Sequence, residues 1–400
     1  MIDESKLLIS SKYLKLKSDK KSIKLLIKDK INETNVKNKE KNPGIELLRI
    51  IGMYAIIVHH VLLYGGTFNK YRKYKGIFLM NILSFWHVSS FGLISGIIGN
   101  KTSKYSNLLY LWICTVFYSV IIHLYYKKYH PNFFAKNTLL ENFFPVIYDK
   151  YWYFTSYFGM YLFIPLINKG LSIINKNQLK IIVISIIGIF IIWRDFILIN
   201  YDAFRLQSGY SVLNLLIFYI TGAYLGKFVI KQNKNKTIVY YFICILIYIS
   251  SSLLCYYFNS YFKKENAKIK ILINISQLFS VRINSLAMIF QVLPLTLIFT
   301  QIKYNKYFAK ILIYFGHLTF GVYLIHFNEY IKHFEITKIF RSYPENTPFS
   351  TIVYLVYMRA IQIYIVCLII DYLRYLLFKI IKIRELCIFI DNQLHKLLNF

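Results

Sequence analysis

The chain has 400 residues, 56% of them hydrophobic, with a mean hydropathy of +0.45. Repeated charge-free runs of roughly 18 residues or more exclude an ordinary soluble domain and are too long for barrel strands, so the expected fold is all-α and polytopic. The formal charge of +31 does not indicate nucleic acid: 40 Lys stand against 9 Arg, and the lysines lie between apolar runs, where lipid headgroups and orientation account for them.

Residues 1–42 carry 12 Lys and are expected to form a basic cytoplasmic tail, with a surface-lying amphipathic segment around Ile23 to Ile31. Residues 43–378 follow as a transmembrane domain of about ten helices. The expected spans are 45–65, 77–99, 106–126, 151–168, 179–198, 210–229, 237–258, 282–301, 309–329 and 351–373. Residues 379–400 form a second basic cytoplasmic tail. An even number of spans returns the C-terminus to the side of the N-terminus, and the lysine-rich tail places both inside. Outer segments 127–150, 199–209, 259–281 and 330–350 are mostly longer than the inner ones, which leaves room for recognition on the outer face. Abundant Lys, Ile, Asn, Tyr and Phe suggest an AT-rich genome and hence a bacterial plasma membrane. Cys114, Cys244, Cys255, Cys367 and Cys387 show no paired spacing and read as packing residues, with neither a metal site nor a disulfide framework. No cleavable signal peptide is expected.

The first apolar run contains Arg49 and, eleven positions on, His60. That spacing leaves the two side chains roughly 20° apart on one helix face and about 16 Å apart along the axis. Ionisable residues in hydrocarbon are costly and mark functional candidates. Arg49 can hold a phosphate or carboxylate in a forked hydrogen bond, or it can simply snorkel and pair with Glu46. His60 can act as a base, or bond a neighbouring helix. His59 faces about 100° away and reads as structural. Glu46 lies about 21 Å from His60 along the helix, too far to orient it. A carboxylate partner must then come from elsewhere, with Glu141, Asp149, Asp195, Asp202 and Glu329 as candidates. His87 sits in the second span as either a satisfied buried histidine or a pocket residue. Ser95-Gly96 fits a small-residue helix contact or a site. Trp152, Tyr153 and Tyr157 fit an interfacial aromatic belt, or sugar stacking and acceptor gating. Tyr323 and His326 share one helix face and can join a polar interior. Arg194-Asp195 reads as an interface pair, and Arg359 as a structurally partnered cation.

The run Gly44-Ile-Glu46-Leu-Leu-Arg49 through His60 resembles the opening of the acyltransferase family 3 membrane proteins, bacterial O-acyltransferases of surface glycans. Further resemblances follow in order: Phe91 to Gly96, Tyr151 to Tyr157 with Pro165 to Asn168, Gly209 to Tyr224, Phe315 to His326, and Asp371 to Arg374. Together they cover residues 43–378. Where many members carry two arginines three apart after the second span, this chain has Lys101 and Lys104, which keep charge and lose the fork. The resemblance implies an acyl-CoA donor, most simply acetyl-CoA, delivered from the cytoplasm to Arg49, Lys101 and Lys104. His60 then acts at a hydroxyl of a glycan acceptor or relays the acyl group. Membrane lipids, donor and glycan are the expected partners, with no nucleic acid. The alternative is a multi-pass transporter or flippase of glycan or lipid-linked oligosaccharide, although neither broken helices nor repeated halves are evident.

Overall fold

The computed structural model describes residues 41–99, 105–131, 139–196, 202–230, 237–261 and 270–397, and all regular structure among them is helical. Lys101, Lys104 and residues 1–40 of the expected N-terminal tail lie outside the described residues. Helix α1 (Pro43–Tyr64) opens on a proline, which has no N–H to leave unsatisfied in a first turn. It ends at Gly65-Gly66, where Gly66 takes a left-handed φ of 86°. The second predicted span is two helices, α2 (Lys75–Ser84) and α3 (His87–Ile98). Then come α4 (Tyr105–Tyr129), α5 (Trp152–Ile173) and α6 (Lys176–Ile187), the last capped reciprocally by Asn175 and Gln178 and prolonged by a wider turn, Gly188–Trp193. Ser211 caps α7 (Val212–Tyr224), which also widens, at Leu225–Ile230. Helices α8 (Ile238–Tyr261) and α9 (Leu286–Gln301) follow. The ninth predicted span is again divided, into α10 (Lys306–Gly316) and α11 (Thr319–His326), before α12 (Phe349–Ile380) and α13 (Ile383–Leu397).

A helix thus stands at each predicted span, and among the described residues seven helical stretches are long and apolar enough to cross a membrane by length and composition. This is a multi-pass helical membrane protein. The two interrupted spans were not foreseen, because neither Ser84 to His87 nor Gly316 to Thr319 contains a proline or an Asp, Glu, Lys or Arg to mark a break. Residues 383–397, within the expected C-terminal tail, form α13, which packs on α4 and buries Cys387 and Asp391.

Helix α1 occupies the centre, packed by α2, α3, α9, α10, α11 and α12, with Leu48, Ile57, Val61 and Leu62 fully buried. Peripheral α8 instead presents Val239, Phe242, Leu246 and Leu253 outward, as lipid-facing helices do. The closest helix pair is α3 against α7. A Cβ on Gly96 would strike the main chain of Tyr219 and Ala223, one on Gly222 that of Leu93, and one on Gly226 that of Ile97. Reciprocal glycines therefore let the two backbones touch, which is how small residues bind helices where lipid offers no hydrophobic drive. All five cysteines are buried and free.

Candidate active site

A cavity of about 370 Å³ runs beside α1 and is lined by both Arg49 and His60. His59, His87, Ser95, Trp152, Tyr153, Tyr157 and Tyr323 also line it, so nine of the residues singled out in the sequence share one space. His326 stands behind His60. Two glycines of the divided ninth span make room for acidic neighbours of the cavity: a Cβ on Gly316 would meet the Glu46 carboxylate, and one on Gly321 the Asp371 carboxylate.

At one end a histidine relay sets a proton inventory. His326 Nδ1 lies 2.6 Å from the Val322 carbonyl oxygen, which can only accept, so Nδ1 carries the hydrogen. Its Nε2, 3.1 Å from His60 Nδ1, must then accept the His60 Nδ1–H. His60 is left with Nε2 as a free lone pair, the state a general base needs. Tyr64 and Phe327 pack against the His60 ring, with centroids 5.3 and 5.2 Å away. The expected carboxylate partner is replaced by this neutral histidine. Glu141 and Glu329 each pair with Lys150 at 2.9 Å, Asp195 is held by Arg194 and Arg282, Asp202 accepts the Leu206 and Gln207 main-chain N–H groups, and Asp149 sits in a left-handed turn.

The other two histidines differ. His59 Nδ1 donates to Asn81 Oδ1 at 2.6 Å, which makes it the anchored member of the cluster. Its ring lies 5.6 Å from that of His60 and 5.7 Å from that of His87. His87 is only 3% exposed, and neither of its ring nitrogens has a hydrogen-bond partner among the described residues.

At the other end stand two arginines. Arg49 Nη1 donates to both carboxylate oxygens of Glu46, at 2.9 and 3.0 Å, so the i,i+3 pairing is realised on a side chain that also faces the cavity. Arg374, quoted from the sequence only as the end of a family-like motif and not as a site residue, lines the same cavity and forks onto Asp371 with three contacts of 2.8–2.9 Å. Its remaining nitrogen, Nη1, donates to the Tyr110 hydroxyl at 2.8 Å, and Tyr118 donates to Asp371 at the same distance. The signal was available: Asp371-x-x-Arg374 repeats the acidic-x-x-Arg spacing of Glu46 and Arg49.

Between the ends lies an aromatic wall. Trp152 packs edge-on to Tyr210 at 4.4 Å, and Tyr153 contacts both Tyr157 and Tyr323. These residues are therefore cavity walls, and Tyr153 is half-buried between Tyr157 and Tyr323 rather than part of a lipid-facing belt. Ser95 lines the cavity with its hydroxyl bonded back to the Phe91 carbonyl, while neighbouring Gly96 makes the helix contact. Arg194, Asp195, Arg282 and Asn284 form a buried polar tie outside the cavity, and Arg359 bonds Gln362 at an exposed position. Near His60, the Lys332 ammonium sits 4.8 Å over the Tyr64 ring and 5.3 Å over Phe327, and burial lowers its pKa. Burial also works against the charge of Lys150, but hydrogen bonds to Glu329 and Glu141 outweigh it and raise that pKa.

Fold and site together define a multi-pass membrane protein with a histidine-bearing internal cavity. Residues 42–371 match the family model described as an acyltransferase domain, and the chain belongs to acyltransferase family 3. It is thus an acyltransferase. No curated protein and no solved structure matches it.

Proposed function

We propose that the protein transfers an acyl group, most simply acetyl, from acyl-CoA to a hydroxyl of a cell-surface or exopolysaccharide glycan in a bacterial plasma membrane. The observation that carries this reading is the single cavity joining an arginine end to a histidine with a free Nε2. Arg49 and Arg374 would receive the anionic CoA moiety from the cytoplasmic side, together with Lys101 and Lys104. Their forks suit phosphate, and each is already neutralised by a carboxylate that phosphate would displace or share. The acceptor approaches from the other side, along Trp152, Tyr153 and Tyr210, whose faces suit a sugar ring.

In the reaction, His60 Nε2 removes the acceptor hydroxyl proton as that oxygen bonds to the thioester carbonyl carbon. Collapse of the tetrahedral intermediate breaks the C–S bond, and the His60 imidazolium returns the proton to the CoA thiolate. The products are the ester and CoA-SH.

Divided helices also occur in transporters, so the discriminating test is chemical. Membranes holding the wild-type protein should move label from [14C]acetyl-CoA into glycan, and His60→Ala should abolish that transfer at unchanged protein abundance. A flippase would move no label, and persistent labelling by His60→Ala would remove His60 from the mechanism.

A further inference from the structure

The division of the second span has placed an unpaired donor in the cavity wall. Helix α2 stops at Ser84, whose hydroxyl turns back to the Met80 and Asn81 carbonyls at 3.1 and 3.0 Å. Helix α3 restarts at His87 and runs for 12 residues with no side-chain cap at its N-terminus. An uncapped N-terminus presents unsatisfied N–H groups and the positive end of the helix dipole. Its first residue, His87, is buried to 3% exposure and lines the cavity, yet both ring nitrogens lack partners among the described residues. Buried polar groups are normally hydrogen-bonded, and leaving one unmade costs about 1–3 kcal/mol. Such a group persists where a ligand atom supplies the partner. The ring of His59, anchored by Asn81, lies 5.6 Å from that of His60 and 5.7 Å from that of His87, and all three line the same cavity.

We infer that His87 is the oxyanion-stabilising residue of the acyl transfer, its ring N–H donating to the thioester carbonyl oxygen as His60 deprotonates the acceptor. This rests on the acyltransferase reading of the site and adds the missing electrophilic half. As the acceptor oxygen bonds to the carbonyl carbon, the C=O π pair moves to that oxygen and meets the His87 N–H. The pair returns when the C–S bond breaks, and His87 neither gains nor loses a proton over the cycle. Placed donors aimed at developing charge supply one of the largest catalytic effects, about 10²–10³-fold per donor.

The test compares wild type, His60→Ala, His87→Ala and His87→Gln in membranes of the gene-deleted native strain supplied with [14C]acetyl-CoA. Transfer rates are taken at saturating and limiting donor, and acetyl-CoA binding is measured on detergent-purified protein. His87→Ala should lose about 10²–10³-fold in kcat, with KM for acetyl-CoA and donor binding unchanged. His87→Gln keeps an N–H donor and should recover part of the loss. Wild-type kcat in His87→Ala, or a loss confined to KM, overturns the assignment, as does a glutamine variant no better than alanine that still binds acetyl-CoA. If wild-type membranes transfer no label at all, the acyltransferase reading of the cavity itself has failed, and that result is separate from the behaviour of the His87 variants.

Discussion

At the scale of single residues, the site turns on which nitrogen carries which proton. The Val322 carbonyl fixes His326, and His326 fixes His60. His326 touches no cavity space and is therefore a positioning residue. His326→Ala should lower kcat by about 10²-fold with KM for acetyl-CoA unchanged. His326→Gln, whose amide oxygen can still accept the His60 Nδ1–H, should recover part of the rate. Equal loss in both variants would assign His326 to packing alone. The Arg49–His60 spacing was legible because helix geometry is local, and eleven positions bring two residues back to one face. The His60–His326 bond was not, since it joins positions 266 apart and depends on how two helices pack. A carboxylate search missed it because the orienting group is a second imidazole closed by main chain.

Among the elements, the divided spans and the glycine-paired helices decide the cavity's shape. Hydropathy located every long helix, because a charge-free run is a direct consequence of lipid contact. It passed over both interruptions, since Ser84 to His87 and Gly316 to Thr319 carry no charge and no proline, so the average hydropathy stays high while the backbone hydrogen bonding changes there. The α3–α7 contact carries α3, and hence His87 and Ser95, against the rest of the molecule. Gly96→Val drives a Cβ into the Tyr219 and Ala223 main chain and should destabilise the protein by at least about 1–3 kcal/mol. Thermal unfolding in detergent measures this, with Gly170→Ala as the control. A Cβ at Gly170 meets nothing within 4 Å, so its midpoint should hold or rise slightly. Equal midpoints for both variants would show that the close approach is dispensable.

For the whole molecule, the cavity has a direction. In the proposed reaction the arginine end would face a cytoplasmic donor and the histidine end a glycan on the far side, the orientation expected from a lysine-rich N-terminal segment on the inner side. Because all five native cysteines are buried, new ones report topology cleanly. Lys332→Cys should react with a membrane-impermeant maleimide in intact cells, whereas Lys306→Cys, exposed at the start of α10, should react only after permeabilisation. The reverse pattern would invert the orientation. The end of the histidine relay has a consequence of its own for how the donor is spent. Main-chain carbonyls are neutral and cannot be ionised, so in the proposed reaction nothing beyond His326 stores a charge. The proton taken from the acceptor is on loan, and the nearest borrower is the departing sulfur. Each deprotonation is thereby tied to one release of CoA. The relay itself, His60 to His326 to the Val322 carbonyl, thus has no further group to hold that proton from one turnover to the next.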